Sequence, residues 1–209
     1  MNTDDLIRQL AAEPPRPAPR SSALWLAGGG ALVAAALAFL AFAGTRPDIA
    51  TAWPATALKI GFGVLALLAL TPIVMRVVAP NVRLRDKILF AVALVAFAGL
   101  LTLYGLATAP ETLRWTVWTG GGLPDCLIRI PLIAAPIAVA LFAVARKFGP
   151  TRLSVAGAVL GAIAGALAII PYSLFCPIDS VAYVATWYTV SIGICAAIGS
   201  LAATRALRW

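Results

Sequence analysis

Six long apolar stretches, separated by short polar connections, set the rhythm of this chain. They lie at Leu24–Ala43, Ala55–Met75, Ile88–Ala107, Leu127–Ala145, Leu153–Phe175 and Val181–Ala203. At about 1.5 Å per helical residue, each is long enough to cross a hydrocarbon core of about 30 Å. The stretches lack the every-second-residue alternation of barrel strands, and an open sheet would leave backbone groups unpaired in lipid. The pattern therefore predicts six transmembrane helices. The expected fold class is all-α, a polytopic integral membrane protein with a short N-terminal tail.

Residues 1–23 stand apart from the body, residues 24–209. In the tail, Thr3 is placed to cap a short helix, with Asp4 and Asp5 in its electropositive first turn. Leu6, Ile7 and Leu10 then share one face. A helix of about ten residues is marginal by itself in water, so it needs a partner. Pro14, Pro15, Pro17 and Pro19 stop it and make a semi-rigid spacer to the membrane. The competing reading is a disordered leader with accidental periodicity; Leu and Ile are unusual in a purely solvating tail and favour docking. Ala41-Phe42-Ala43 resembles a signal-peptidase site. The long, proline-rich segment before the first apolar stretch favours a retained helix instead.

Composition narrows the solvent and the charge fixes an orientation. Sixty-two per cent of residues are hydrophobic and 11% are charged, and the mean hydropathy is +0.96. A chain of this size cannot hide that much apolar surface from water, so its solvent is lipid. The net charge of +8 invites a nucleic-acid reading, but the basic residues sort by side. Twelve fall in the tail, the connections at 76–87 and 146–152 and the C-terminus, against Arg46 and Arg114 in the alternate connections. This positive-inside bias predicts both termini in the cytoplasm. No basic stripe with interleaved aromatics suggests direct nucleic-acid binding.

Candidate chemistry is sparse. The chain has no histidine, which removes the usual general base and the commonest metal ligand. Acids are absent from mid-span, and phosphate-binding loops, nucleophile elbows and metal-spaced clusters are missing. No enzyme, cofactor, metal or small-molecule substrate is expected. Lys59 and Arg129 lie within spans but near the outer surface, where long side chains snorkel. Arg129 also stands four residues after Asp125, a spacing suited to an ion pair. Gly157, Gly161 and Gly165 make a smooth stripe for close helix approach, and Pro136 and Pro171 are candidate kinks.

Of three cysteines, Cys195 reads as a packed small hydrophobe. Cys126 and Cys176 differ, because both fall at the outer ends of the fourth and fifth spans. Those spans are antiparallel neighbours joined by a tight turn. Helix axes pack about 8–10 Å apart and a disulfide needs Cα atoms about 4.4–6.8 Å apart, so a modest approach would close a bond. A structural staple, two unrelated thiols and a redox pair all remain open on this reading. A quinone-coupled disulfide oxidoreductase needs a second, closely spaced pair, which the chain lacks.

The opening MNTDDLIRQLAAEPPRP, the loop segment LPDCLIRIPLIAAPIA and the ending from Cys176 to Trp209 resemble the NrsF family of bacterial membrane anti-sigma factors. The resemblance implies a cytoplasmic tail that holds an extracytoplasmic-function (ECF) sigma factor inactive at the bacterial inner membrane. It places Thr3, Asp4, Asp5, Leu6, Ile7 and Leu10 in the sigma-binding motif. It also implies that Cys126 and Cys176 are a sensing pair that releases the sigma factor under stress. The rival expectation is a small channel or transporter with an incidental tail.

Overall fold

The computed structural model describes residues 21–77, 85–122, 124–150 and 152–206, together with Thr3, Asp5, Arg8 and Ala12 of the tail. Those four tail positions are helical and exposed. Asp4, Leu6, Ile7 and Leu10 lie outside the described residues.

Seven helices are described in the body: α1 (Ser21–Ala43), α2 (Trp53–Val77), α3 (Arg85–Thr108), α4 (Arg114–Thr119), α5 (Cys126–Ala145), α6 (Leu153–Ser173) and α7 (Val181–Ala206). Among the described residues, α1, α2, α5, α6 and α7 are long and apolar enough to cross a membrane. The apolar part of α3, Val92–Thr108, is shorter. The helices match the six apolar stretches to within a few residues. The addition is α4, in the connection between the third and fourth apolar stretches.

Packing is uneven around α6, whose central residues are almost all buried. Its closest partner is α7. A methyl group on Gly157 would collide with Ala203 and the Gly199 carbonyl, and one on Gly161 with the Cys195 backbone. The predicted glycine stripe is therefore the α6–α7 contact, and Gly199 answers it from the other helix. Cys195 is buried there with its Sγ against Gly165, as a packed small side chain. Helices α2 and α5 flank α6 on other sides, and α1 lies mainly against α5. Pro136 and Pro171 sit inside continuous helices rather than ending them. In contrast, α3 packs lightly on α2, leaving between α2, α3 and α7 an apolar groove of about 470 Å³ with Lys59 and Asp179 among its lining residues.

Candidate functional site

The cysteines predicted to lie at the outer ends of neighbouring helices are brought into one buried pocket. Cys126 opens α5 and is 0% exposed; Cys176, just beyond the end of α6, is 1% exposed. Both, and Cys195, are free thiols. The Cys126 Sγ lies 3.5 Å from the Tyr183 hydroxyl, and the Cys126 carbonyl accepts from Ser191 Oγ at 3.2 Å. Tyr172 stands beside both Tyr183 and Cys176. The Tyr188 hydroxyl also lies beside Cys176, and it is buried without a partner at full hydrogen-bonding geometry among the described residues. Tyr172 and Tyr188 pack edge to face, with ring centroids 5.9 Å apart.

A local departure from α geometry builds this pocket. Residues Val184–Tyr188 of α7 form a π-helical turn. Five residues apart on an α-helix, Tyr183 and Tyr188 would diverge by about 140°. The wider turn brings both toward the thiols, and both are 0% exposed. Single π turns often mark functional positions. Ser180 caps the helix start by accepting from the Tyr183 N–H at 3.3 Å. Thr186, within the turn, accepts from the Trp118 indole at 3.2 Å. The neighbouring Trp187 indole donates to the Trp118 carbonyl at 2.7 Å. The short helix α4 is thereby pinned to the π turn.

A second, charged cluster borders the pocket, and sequence reasoning missed it. Arg46, three residues beyond α1, is 5% exposed. Its guanidinium forks onto Asp48 with two bonds of 2.8 Å and onto Asp179 with bonds of 2.8 and 3.0 Å. The same group donates to the Cys176 carbonyl at 3.3 Å, and the Arg46 backbone N–H donates to the Leu174 carbonyl at 3.0 Å. Lys59 of α2 does not snorkel to the surface: it is 1% exposed. Its ammonium meets Asp179 at 2.6 Å and donates to the Cys176 carbonyl at 2.8 Å.

The cause lies in the backbone. After α6 ends, residues 176–180 are non-helical, and Pro177 disfavours a helical conformation at the residue before it. A buried carbonyl there needs a donor from elsewhere, and Lys59 and Arg46 supply it. Two cations and two carboxylates balance in charge. Burial raises the Asp179 pKa, but Arg46 and Lys59 outweigh it and hold the carboxyl below its ordinary value. The bond from Arg46 does the same for Asp48, and both acids keep the guanidinium charged.

Arg129 forms the expected pair with Asp125, at 3.3 Å, and also lies 4.6 Å from the Phe175 ring centroid. No group of three or more potential metal ligands occurs among the described residues. The site offers two buried free thiols, a fixed backbone around one of them, and an ionic tie to α2 and to the connection after α1.

Comparison with known proteins gives this arrangement its context. The family described as "Negative regulator of sigma F" (NrsF) matches residues 6–209. A "Probable anti-sigma-F factor NrsF" of Azospira oryzae is 30% identical over an alignment of 223 positions, covering all of both chains. The "Anti-sigma-F factor NrsF" of Caulobacter vibrioides is 31% identical over 216 positions, again covering both chains completely. No solved structure matches. A match running from the tail through the last helix leaves one assignment: the chain belongs to the NrsF family of negative regulators of sigma F.

Proposed function

We propose that this protein is a membrane-embedded anti-sigma factor that holds a sigma factor of the ECF class through its N-terminal tail and releases it when Cys126 and Cys176 react. The full-length family match carries the regulatory reading, and with it the choice of a sigma factor over a transported solute as the ligand. The body crosses the bacterial inner membrane six times with both termini in the cytoplasm. Support comes from the positive-inside bias and from α3, whose 24 residues reach about 36 Å as a helix. Residues 1–23 then form the cytoplasmic docking segment and residues 24–209 the sensing body.

In the tail, Thr3 belongs to the helical segment that docks on the sigma factor, within its first turn rather than as its cap. Asp4 and Asp5 meet a basic rim, and Leu6, Ile7 and Leu10 enter an apolar groove of the sigma factor. At the other face, the thiols exchange between free and bonded forms. Forming the disulfide removes two protons and two electrons, and a peroxide-class oxidant accepts them, leaving water and the reduced oxidant. The outside compartment of such a membrane is oxidising, so the bond persists there.

A titration of a peptide of residues 1–23 against the sigma factor tests the docking half. Burying an aliphatic side chain is worth about 1.5–3 kcal/mol. Changing Leu6→Ala and Leu10→Ala together should therefore weaken binding by about two orders of magnitude or more. An unchanged Kd would remove the groove model. Loss of binding on removing residues 2–12 from the full chain, with the body still in the membrane, is the corresponding result for the whole protein.

A further inference from the structure

We propose that Arg46, Lys59 and Asp179 are positioning residues that convert a change at Cys176 into a displacement of α1, the helix leading to the N-terminal tail. This rests on the reading of the thiols as the sensor and the tail as the docking segment. It adds the connection between them.

Three observations carry it. First, the backbone of Cys176 is not held by its own helix beyond the bond from its N–H to the Tyr172 carbonyl at 3.0 Å. Its carbonyl is held by Lys59 and Arg46, donors 117 and 130 residues away in sequence. Second, Asp179, three residues after Cys176, binds both cations at once. A shift of the 176–179 segment must therefore break charge-assisted bonds or move α2 and the α1–α2 connection with it. Third, Arg46 is separated from the end of α1 only by Gly44 and Thr45, and its backbone N–H is bonded to the Leu174 carbonyl. Helix α1 is also the least enclosed of the five helices long enough to cross a membrane, with 11% of its most apolar 18 residues buried against 67% for α6. Its packing is mainly on α5, whereas α6 is locked on several sides. The ionic cluster thus joins the reactive segment to a lightly enclosed helix.

The test uses the full chain in cells carrying a sigma-dependent reporter. It has two readouts: the induced-to-uninduced reporter ratio after peroxide treatment, and the oxidised fraction of the thiols by alkylation gel shift. In Lys59→Met and Asp179→Asn variants present in the membrane at normal level, the thiols should oxidise as in the parent chain while the reporter ratio falls to unity. Asp179→Glu, which keeps both ion pairs, should restore the response. A purely structural role would lower membrane level and thiol oxidation together, and that result would overturn the proposal. So would a normal reporter response in Lys59→Met and Asp179→Asn. Cys126→Ser and Cys176→Ser separate this failure from that of the sensor reading. If the cysteine variants are unresponsive while the charge variants respond, the sensor stands and the coupling falls. If the cysteine variants respond normally, the sensor reading falls and takes the coupling with it.

Discussion

Lys59 shows how far one residue can depart from its expected role. A lysine near the end of an apolar helix ordinarily sends its ammonium outward to water. Here the nearest polar groups are inward, because Cys176 and Asp179 lie on a non-helical segment beside α2. The resulting pair is intermediate between an exposed and a buried one, since the Asp179 side chain is 35% exposed. Its removal by Asp179→Asn should cost about 1–3 kcal/mol, between the limits for surface and buried pairs. The same carboxylate gives a pH dependence. Its folded pKa is depressed below 3.8, so its contribution is complete above that value and is lost as pH falls through the lower, folded value. Thermal unfolding of the detergent-solubilised protein should be insensitive to Asp179 titration from pH 7 to about 5. Below the ordinary carboxylate range the parent chain should lose more stability than Asp179→Asn. Parallel acid profiles for the two proteins would show that the ion pair contributes nothing.

At the scale of elements, the α6–α7 contact is set by absent side chains. Lipid tails are as apolar as the helices, so close approach must come from small residues and dispersion contacts. Valine at Gly161 would press on the Cys195 carbonyl and on Gly199. Overpacking of this kind costs about 1–3 kcal/mol and should lower the unfolding midpoint in mild detergent. Gly193, on α7 but with open space within 4 Å of where a methyl group would stand, is the control: Gly193→Ala should leave that midpoint unchanged or raise it. Equal losses at both positions would mean that backbone flexibility, and not the interface, governs stability. The stripe was visible in sequence because its four-residue spacing is a property of α6 alone. Its partner Gly199 was not, because pairing depends on how α7 is rotated. The π turn was hidden for a related reason: Val184–Tyr188 has no composition that distinguishes it from α-helix, and its geometry arises where Thr186 and Trp187 engage α4.

The whole molecule has a dense centre around α6 and looser helices, α1 and α3, at its margins. This asymmetry suits the proposed regulator, because a switch between two packings needs an element that can move. The proposed orientation follows from charge and can be measured directly. Reporter fusions after Arg20, Lys147 and Trp209 should register cytoplasm, and fusions near Gly121 and Asp179 the opposite side. A fusion at Trp209 that lands outside would require an odd number of spans and would also separate the tail from the C-terminus.

The helical class, the approximate ends of the apolar helices, the glycine seam and the two cysteines worth watching were all legible in the order of residues. Hydropathy and residue spacing are properties of a single segment, and lipid leaves helices few alternatives. Family membership was likewise legible from the motifs at the two ends of the chain. Folding was needed to seat Cys126 and Cys176 among three tyrosines. Folding also turned Arg46, to all appearances one more loop charge, into the buried centre of an ion cluster. Those facts depend on segments from 57 to 130 residues apart meeting at one end of the bundle. What unites them is a single break in helical hydrogen bonding after α6: in a low-dielectric setting its carbonyl had to find a donor, and the donors came from the connection and helix that follow α1.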